Sequence, residues 1–293
     1  MSDLDARDRL LAHLNVLVGE RHPVTSPAHL QRAEEYLADT FAQLGLQVST
    51  PPFEAMGGTY RNVVATLLPT HQAQGHGHGT PAAPLILAAH YDTVEGSPGA
   101  DDNASAVAVL LETARRLRSV DRTREIHCIG FCLEEEGLLG SLAYAAELRA
   151  AKREIAGALV LECVGYASDK DSSQAVPPGM PIAVPTIGNF LAIIGNHASA
   201  ALTASVERAA APHLPVVPLV VPGNGELLPD TRRSDHAAFW HYGFPAVMLT
   251  DTANFRNPNY HRPTDTLETL NLKFLVQVAD AVTAAAAASL EGT

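Results

Sequence analysis

The sequence has few cysteines, and none of them lies in a segment with the character of a loop. Cys128, Cys132 and Cys163 sit inside apolar, strand-like segments. A disulfide framework would need more cysteines, and it would need them in loops. We therefore interpret all three as free, buried thiols in a protein of a reducing compartment, and the cytoplasm is the expected location.

Positive charge and long apolar segments are also scarce. The 20 lysines and arginines are outnumbered by 32 aspartates and glutamates, so the formal net charge is -12, which argues against nucleic acid as a partner. The longest apolar runs, such as residues 85–89 and 246–249, are far too short to span a bilayer. Residues 1–14 lack the basic and then apolar regions of a signal peptide. Neither a nucleic acid nor a membrane is expected as a partner.

The remaining pattern is typical of an α/β protein. The 293 residues suffice for one large domain, and short apolar runs alternate with helical segments, which indicates a sheet covered by helices. Strands are predicted at residues 62–67, 85–89, 126–133, 158–161, 191–194, 216–221 and 246–249. Helices are predicted at residues 27–44, 104–119, 138–152, 199–211 and 272–290. Because no internal repeat or linker is evident, we expect a single domain over residues 1–293.

Two segments have the composition of loops, residues 71–84 and residues 168–185. The first contains His76 and His78 in a Gly-rich setting, which favours a solvated loop over a metal site. The second carries polar residues followed by several prolines. We interpret it as an excursion over the sheet.

One candidate site begins where the strand at residues 85–89 ends. His90 follows that strand directly, Asp92 comes two residues later, and Asp102 lies just before a predicted helix. Ligand sites of open α/β sheets lie at the carboxyl ends of parallel strands. By itself the His-x-Asp spacing is a weak signal, and an Asp before a helix is equally typical of an ordinary N-cap.

Three consecutive carboxylates follow the strand at residues 126–133, namely Glu134, Glu135 and Glu136. Such side chains at the end of a buried strand repel one another and are costly to desolvate. A pair of divalent cations would remove that cost. The alternative is a solvated acidic turn that begins a helix, where the helix dipole favours Glu.

Two further side chains complete the set. Glu162 ends the strand at residues 158–161, and His261 lies in a Pro- and Asn-rich loop after the strand at residues 246–249. Two imidazoles with several carboxylates suit zinc, whereas magnesium or calcium would favour oxygen ligands alone. Two histidines cannot complete two separate tetrahedral sites, but a shared carboxylate, Asp102, would solve this. We therefore predict two zinc ions about 3.5–4 Å apart with a hydroxide between them.

Five strings occur in a fixed order, HYDTVEGSPGADDNASA, EEEGLLGS, LECVGY, RSDHAAFW and NPNYHRPTDT. From about Arg21 to the C-terminus, the chain resembles the bacterial zinc aminopeptidases of the co-catalytic metallopeptidase class. That class also includes glutamate carboxypeptidase and the animal glutaminyl cyclases. The resemblance implies a zinc exopeptidase-like fold, with three layers and a mixed, mostly parallel, twisted sheet of about eight strands flanked by helices.

The resemblance also implies roles for individual residues. His90 and His261 would each bind one zinc, and Asp102 would bridge both, with a cis peptide bond to Asn103. Glu135 would complete the shell of one metal and Glu162 that of the other. Glu134 would be the general base. Asp92 would hold the His90 ring in the tautomer that binds metal, and the Tyr260 hydroxyl would stabilise the tetrahedral oxyanion.

The chain departs from the family pattern at two positions. Glu162 stands where aspartate is common, which alters how a substrate amine would be held, and Ala106 stands where glycine is usual. Ser234, Asp235 and His236 have the residue types of a serine-hydrolase triad. Because they are adjacent in the sequence, their side chains do not point at each other as a triad requires. For His236, a structural role and a substrate contact are equally expected.

The predicted function is a metallo-exopeptidase, aminopeptidase-like, that hydrolyses terminal bonds of a peptide or small amide substrate. One alternative is glutaminyl cyclase-like acyl transfer on N-terminal Gln, although such enzymes lose the double-metal arrangement. Another alternative is a non-catalytic binding domain of the same fold, although every predicted ligand position carries a competent side chain. The sequence leaves the oligomeric state open.

Overall fold

A mixed, eight-stranded sheet runs through the centre of the computed structural model, which describes residues 5–71, 82–177 and 179–290. The predicted loop at residues 71–84 therefore lies mostly outside the described residues, as do His76 and His78. The described helices are α1 Ala6–Leu17, α2 Pro27–Gln43, α3 Ala106–Leu117, α4 Leu139–Ala150, α5 Ala200–Ala210, α6 His236–His241 and α7 Leu272–Ala288. The described strands are β1 Gln47–Ser49, β2 Pro52–Ala55, β3 Gly58–Arg61, β4 Val63–Leu67, β5 Leu85–His90, β6 Ile126–Phe131, β7 Gly157–Glu162, β8 Leu191–Asn196, β9 Val216–Val221 and β10 Ala246–Thr250.

The strand order in the main sheet is β1-β4-β6-β5-β7-β10-β8-β9. The four central strands β6, β5, β7 and β10 are parallel to one another, and β8 pairs with β9 in parallel as well. Antiparallel pairs join β1 to β4, β4 to β6 and β10 to β8. The carboxyl ends of the four central strands consequently meet at one edge of the sheet. This topology confirms the predicted mixed, mostly parallel sheet.

Each face of the sheet is covered by helices, because the central strands are continuous apolar runs buried on both sides. The larger core packs α1, α2, α3 and α7 against one face. The smaller core packs α4 and α6 against the other face, and it includes Trp240, which is 2% exposed. Helix α2 buries one apolar stripe, formed by Leu30, Ala33, Leu37 and Phe41. The three-layer domain is therefore as predicted.

A buried ionic cluster ties three helices of the larger core together. The Glu112 side chain on α3 is fully buried, and its carboxylate accepts hydrogen bonds from Arg9 on α1 and from Arg115 and Arg116 on α3, at 2.7–2.9 Å. Arg116 also donates to Asp280 on α7 at 2.6 Å. Burial raises the pKa of Glu112, but the three guanidinium groups outweigh it and lower that pKa to about 2.

Several elements differ from the sequence prediction. Helices α1 and α6, strand β1 and the β2–β3 hairpin were not predicted, because these segments are short or half-exposed and show little periodicity. Strand β6 ends at Phe131, two residues early, since Leu133 has a positive φ of 61° and the chain turns there. Helix α3 begins at Ala106, because Asp102 and Asn103 are not helical.

Two predictions from the sequence concern the state of the cysteines and the length of the apolar segments. The three cysteines are free and buried. Within the ranges that the structure describes, no helix combines the length and the apolar character needed to cross a bilayer.

Candidate metal centre

The predicted ligands lie together at the edge where the four central strands end. His90 and Glu162 are the last residues of β5 and β7. The His90 Nε2 atom is 3.2 Å from Asp102 Oδ1, 3.3 Å from Glu162 Oε2 and 3.8 Å from Glu134 Oε2. The His261 Nε2 atom is 3.0 Å from Asp102 Oδ2 and 3.2 Å from Glu135 Oε2.

Asp102 stands between the two imidazoles. One of its carboxylate oxygens faces His90 and the other faces His261. Each histidine also has its own terminal carboxylate, which is Glu162 for His90 and Glu135 for His261. Asp102 is thus placed as a bridge between two half-sites, each with one imidazole and one terminal carboxylate. The Asp102–Asn103 peptide bond is cis, as the resemblance implies.

Several atoms of this centre are buried without a hydrogen-bond partner among the described residues. They are both ring nitrogens of His90, both carboxylate oxygens of Asp102 and Glu135 Oε1. Buried polar atoms nearly always have a partner, and metal coordination would satisfy these. Imidazole and carboxylate donors are those that zinc takes. The residues present therefore fit zinc.

Several side chains of the centre have pKa values that lie far from their ordinary ones. Burial raises the pKa of Glu135 to about 8 and that of Glu134 well above its usual range. Burial lowers the pKa of His261, but the nearby carboxylates of Asp102 and Glu135 raise it to about 10. Burial raises the pKa of Asp102, yet the two imidazoles outweigh it and hold that pKa well below its usual range. The clustered negative charge thus attracts positive charge, which is the electrostatic requirement of a cation site.

Asp92 has a wider role in the structure than the resemblance implies. Its Oδ1 is 3.5 Å from His90 Nδ1, which is consistent with the predicted orientation of that ring. The same carboxylate accepts hydrogen bonds from the backbone N–H groups of Glu134 and Glu135, each at 3.1 Å. Asp92 therefore holds the backbone that carries the predicted base and a predicted ligand.

Tyr260 lies beside the centre, with its ring stacked on the His261 ring at a centroid distance of 3.8 Å. Its hydroxyl oxygen accepts a hydrogen bond from Arg233 Nη2 at 3.1 Å. Burial, followed by the charge of Asp102, raises the pKa of Tyr260. The hydroxyl therefore keeps its proton, and its O–H is left for a second hydrogen bond.

Two further residues support the centre in roles that were not predicted from the sequence. Ser234 Oγ donates to Glu162 Oε2 at 2.8 Å. The buried Asp265 carboxylate accepts the backbone N–H groups of Asp101 and Asp102 at 3.1 Å. Asp265 lies four residues after His261 in the quoted string NPNYHRPTDT, so its type and place were visible. Only the fold brings it against Asp102.

Arg21 is a third supporting residue, and it is 2% exposed. Its guanidinium donates to the backbone carbonyls of Tyr91 at 2.8 Å, Gly19 at 2.7 Å, Gly99 at 3.0 Å and Pro98 at 3.1 Å, and to that of Leu17. Burial lowers the pKa of Arg21 to about 10, while Asp92, Asp102 and Asp265 act to raise it. Arg21 thus joins the N-terminal segment to the loops that carry Asp92 and Asp102.

His236 makes the contacts of a structural residue. It is fully buried, its Nε2 is 2.8 Å from the backbone oxygen of Thr231, and its ring meets Trp240 edge-on. Burial lowers its pKa to about 4. Since Ser234 bonds to Glu162 instead, the adjacent Ser234, Asp235 and His236 form no triad, as predicted.

A cavity opens beside Glu162 and Tyr260, with about 790 Å³ of empty space when the open solvent at its mouth is included. Its walls include residues of β8, β9 and β10 and residues from the segments 180–184, 230–233 and 252–255. This cavity could not be predicted from the sequence, because its walls come from segments that are far apart in the chain.

Residues 62–286 match peptidase family M28. The chain is 33% identical over 271 residues to the uncharacterized protein YfbL of Escherichia coli, which covers 87% of this chain and 79% of that protein. It is 34% identical over 204 residues to aminopeptidase YwaD of Bacillus subtilis, which covers 69% of this chain and 40% of that protein. The chain thus spans less than half the length of this aminopeptidase relative.

Solved structures agree with these sequence relatives. An aminopeptidase from Aneurinibacillus sp. strain AM-1 is 30% identical with a TM-score of 0.59, covering 78% of this chain and 47% of that one. A glutaminyl cyclase from Fimbriiglobus ruber is 20% identical with a TM-score of 0.67, covering 98% and 96%, and shares the fold. The predicted family, fold and peptidase class are therefore confirmed, and the chain belongs to peptidase family M28.

Proposed function

We propose that the chain is an aminopeptidase that removes N-terminal residues from peptides with the help of two zinc ions. The observation that carries this proposal is the position of Asp102 between His90 and His261, each with its own terminal carboxylate. One zinc would be held by His90, Asp102 and Glu162, and the other by His261, Asp102 and Glu135. When bound, the pair would supply a water of lowered pKa and polarise the substrate carbonyl.

Glu134 is the residue that would move the proton. Its carboxylate faces the centre, 3.8 Å from His90 Nε2, and it is 7% exposed. In the presence of divalent cations, the carboxylate would be ionised despite its burial. It would accept the proton of the attacking water and donate it to the leaving amine.

Tyr260 would stabilise the tetrahedral intermediate. Because its oxygen accepts the hydrogen bond from Arg233, its own O–H is free to donate. A donor aimed at the developing oxyanion lowers the barrier more than one aimed at the ground-state carbonyl. Arg233 therefore positions the tyrosine hydroxyl.

Cleavage at the N-terminal end of the substrate is a further part of the proposal. With two zinc ions bound, the carboxylates of Asp102, Glu134, Glu135 and Glu162 would offset the charge of the metals, so the centre would not exclude an α-ammonium group. The aminopeptidase relatives support the same assignment. Glutaminyl cyclase activity is less well supported, because the second histidine–carboxylate pair is intact.

The cellular setting remains a prediction. We propose a cytoplasmic location and a peptide or small amide substrate, without a nucleic-acid partner. The free, buried thiols support the reducing compartment, and the net charge of -12 supports the absence of nucleic acid.

The test combines metal analysis with substrate assays on the purified chain. We expect about two zinc ions per chain, release of the N-terminal residue from free aminoacyl amides, and no release from their N-acetylated forms. Ring closure of N-terminal Gln with one zinc bound would instead identify a cyclase. Hydrolysis of the N-acetylated forms at equal rate would contradict recognition of the free amine.

A further inference from the structure

We propose that His22 is a positioning residue of the metal centre. Its side chain contacts Glu136 and through that contact holds the turn at residues 134–138, which carries the predicted base and a predicted zinc ligand. The inference rests on the proposed function. It gives a role to a residue that is far from the ligands in the sequence and lies outside the strands that position them.

The contact joins one ring nitrogen to one carboxylate oxygen. His22 Nε2 lies 3.3 Å from Glu136 Oε1, and the two side chains are 12% and 31% exposed. The other ring nitrogen, Nδ1, accepts the backbone N–H groups of Val24 at 3.3 Å and Thr25 at 3.1 Å. Because a ring nitrogen that accepts a hydrogen bond carries no proton, the ring proton lies on Nε2 and faces the Glu136 carboxylate.

The segment that carries His22 is anchored to the loop at residues 91–99, which contains Asp92. The anchoring hydrogen bonds run from the Gly19 N–H to Pro98 O at 2.8 Å, from the Arg21 N–H to Thr93 Oγ1 at 2.9 Å and from the Gly96 N–H to Glu20 Oε1 at 3.1 Å. The Arg21 guanidinium donates to carbonyls of the same loop. His22 thus contacts the turn from a fixed support.

The turn depends on contacts from outside because its backbone is irregular. It lies between β6 and α4, and Leu133 and Leu138 have positive φ values of 61° and 64°. Such values are uncommon for residues that carry a side chain. Backbone of this kind keeps its shape only where the surrounding structure holds it.

Two side chains hold the turn at three consecutive residues. Asp92 accepts the backbone N–H groups of Glu134 and Glu135. His22 contacts the side chain of Glu136, the next residue. Since His22 and Asp92 belong to segments that are hydrogen-bonded to each other, the whole turn is attached to one unit.

Loss of the His22 contact would affect both functional carboxylates of the turn. Glu135 Oε2 lies 3.2 Å from His261 Nε2, and Glu134 Oε2 lies 3.8 Å from His90 Nε2. A displacement of the turn changes both distances. Residues that orient ligands contribute roughly 10- to 100-fold to metal affinity, and the lower end of that range is expected for a half-exposed contact that acts through the backbone.

The first test replaces each partner of the contact. His22→Ala and Glu136→Ala should each lower the affinity for the zinc of the His261 half-site by roughly tenfold, measured by competition with a chelator. At saturating zinc, kcat for an aminoacyl amide should also fall while KM is unchanged, because the contact touches no substrate. Val24→Ala, at a side chain of the same segment that is 66% exposed, is the control and should keep the wild-type zinc affinity and kcat.

The second test separates positioning from a general loss of structure. His22→Gln keeps an N–H donor and Glu136→Gln keeps an acceptor oxygen, so both should lose much less than the alanine variants. The double variant His22→Ala/Glu136→Ala should lose no more than either single variant, because both changes remove the same contact.

Wild-type zinc affinity and kcat in His22→Ala, or additive losses in the double variant, would overturn the positioning role. Failure of the zinc-loaded wild type to hydrolyse any aminoacyl amide would overturn the proposed function instead. The comparison of zinc affinities would still test His22 in that case, because it does not depend on turnover.

Discussion

The Asp92 carboxylate accepts the backbone N–H of Glu134 at 3.1 Å, and its second oxygen accepts the N–H of Glu135 at the same distance. Glu134 and Glu135 therefore leave β6 on a backbone fixed by a residue of the neighbouring strand's loop. One carboxylate thus controls both the predicted base and a predicted ligand. A substitution of Asp92 should therefore affect both Glu134 and Glu135.

Asp92→Asn should impair catalysis and metal binding together. An amide can accept one of the two N–H groups, but its NH₂ group would face the other. We expect zinc affinity to fall by roughly 10- to 100-fold, the range for residues that orient ligands, together with a fall in kcat at saturating zinc. Zinc titration and steady-state kinetics would measure both, with the exposed Asp39→Asn as control. Unchanged zinc affinity in Asp92→Asn would show that its two N–H contacts do not position Glu135.

Glu134→Gln and Glu135→Gln should separate the roles of two adjacent carboxylates. Glu134→Gln should keep its zinc and its KM while kcat falls by roughly 10²- to 10⁴-fold, the scale of general-base loss. Glu135→Gln should instead weaken binding of one zinc. Zinc content and kinetics of both variants would be compared with Glu136→Gln, which alters the next residue in the same turn. Loss of zinc from Glu134→Gln with full retention in Glu135→Gln would reverse the two assignments.

His261→Ala should reduce the zinc content from about two ions to about one per chain and abolish nearly all turnover. The remaining ion would be held by His90, Asp102 and Glu162. Zinc would be measured by atomic emission after dialysis, and His213→Ala, an exposed histidine, provides the control. Retention of two ions in His261→Ala would exclude His261 as a ligand.

Arg21→Lys should lower the free energy of unfolding although it keeps the positive charge. A lysine cannot reproduce the fork of donors with which Arg21 binds several carbonyls. We expect a loss of about 3 kcal/mol, since bonds from charged donors are each worth roughly 1.5–3 kcal/mol. Urea unfolding would measure it against the exposed Arg32→Lys. Equal stability of both variants would mean that the charge alone suffices.

The Glu112 cluster should make stability depend on pH in acid. Its pKa is lowered from 4.5 to about 2 in the folded state, so the stabilisation is fully present above pH 4.5 and is lost as the pH falls towards 2. The difference in unfolding free energy between the wild type and Glu112→Gln should therefore shrink over that interval. Urea unfolding at several pH values would test this, with the exposed Glu147→Gln as control. A difference that stays constant with pH would exclude Glu112 as the cause.

The sequence predicted the central strands and the ligands because both depend on strong local signals. A buried parallel strand is a continuous apolar run, and a carboxylate or imidazole directly after it is conspicuous, as with His90 and Glu162. The ligand roles themselves remain predictions, now supported by distances. Helix α1 and the β2–β3 hairpin were not predicted, because half-exposed elements have a weaker hydrophobic periodicity.

Long-range partners could not be predicted, because nothing in the sequence joins them. Arg21 binds the carbonyl of Tyr91, 70 residues away, and Asp265 binds the N–H of Asp101, 164 residues away. Their residue types are common at surfaces, so only the folded chain distinguishes them. The cavity could not be predicted for the same reason, since the residues that line it come from separate segments of the chain.

The strands follow a different order in the chain than in the sheet, and this difference affects when each part of the centre can assemble during protein synthesis. Strands β6, β5 and β7 precede β8 in the chain, yet β10 is inserted between β7 and β8. His90, Asp102 and Glu162 have therefore left the ribosome long before His261 is made. The half-site around His90 therefore has all its predicted ligands before the half-site around His261 can be completed, and the latter also requires that β10 has entered the sheet. Occupancy of the second half-site would accordingly report that β10 and the loop after it are in place.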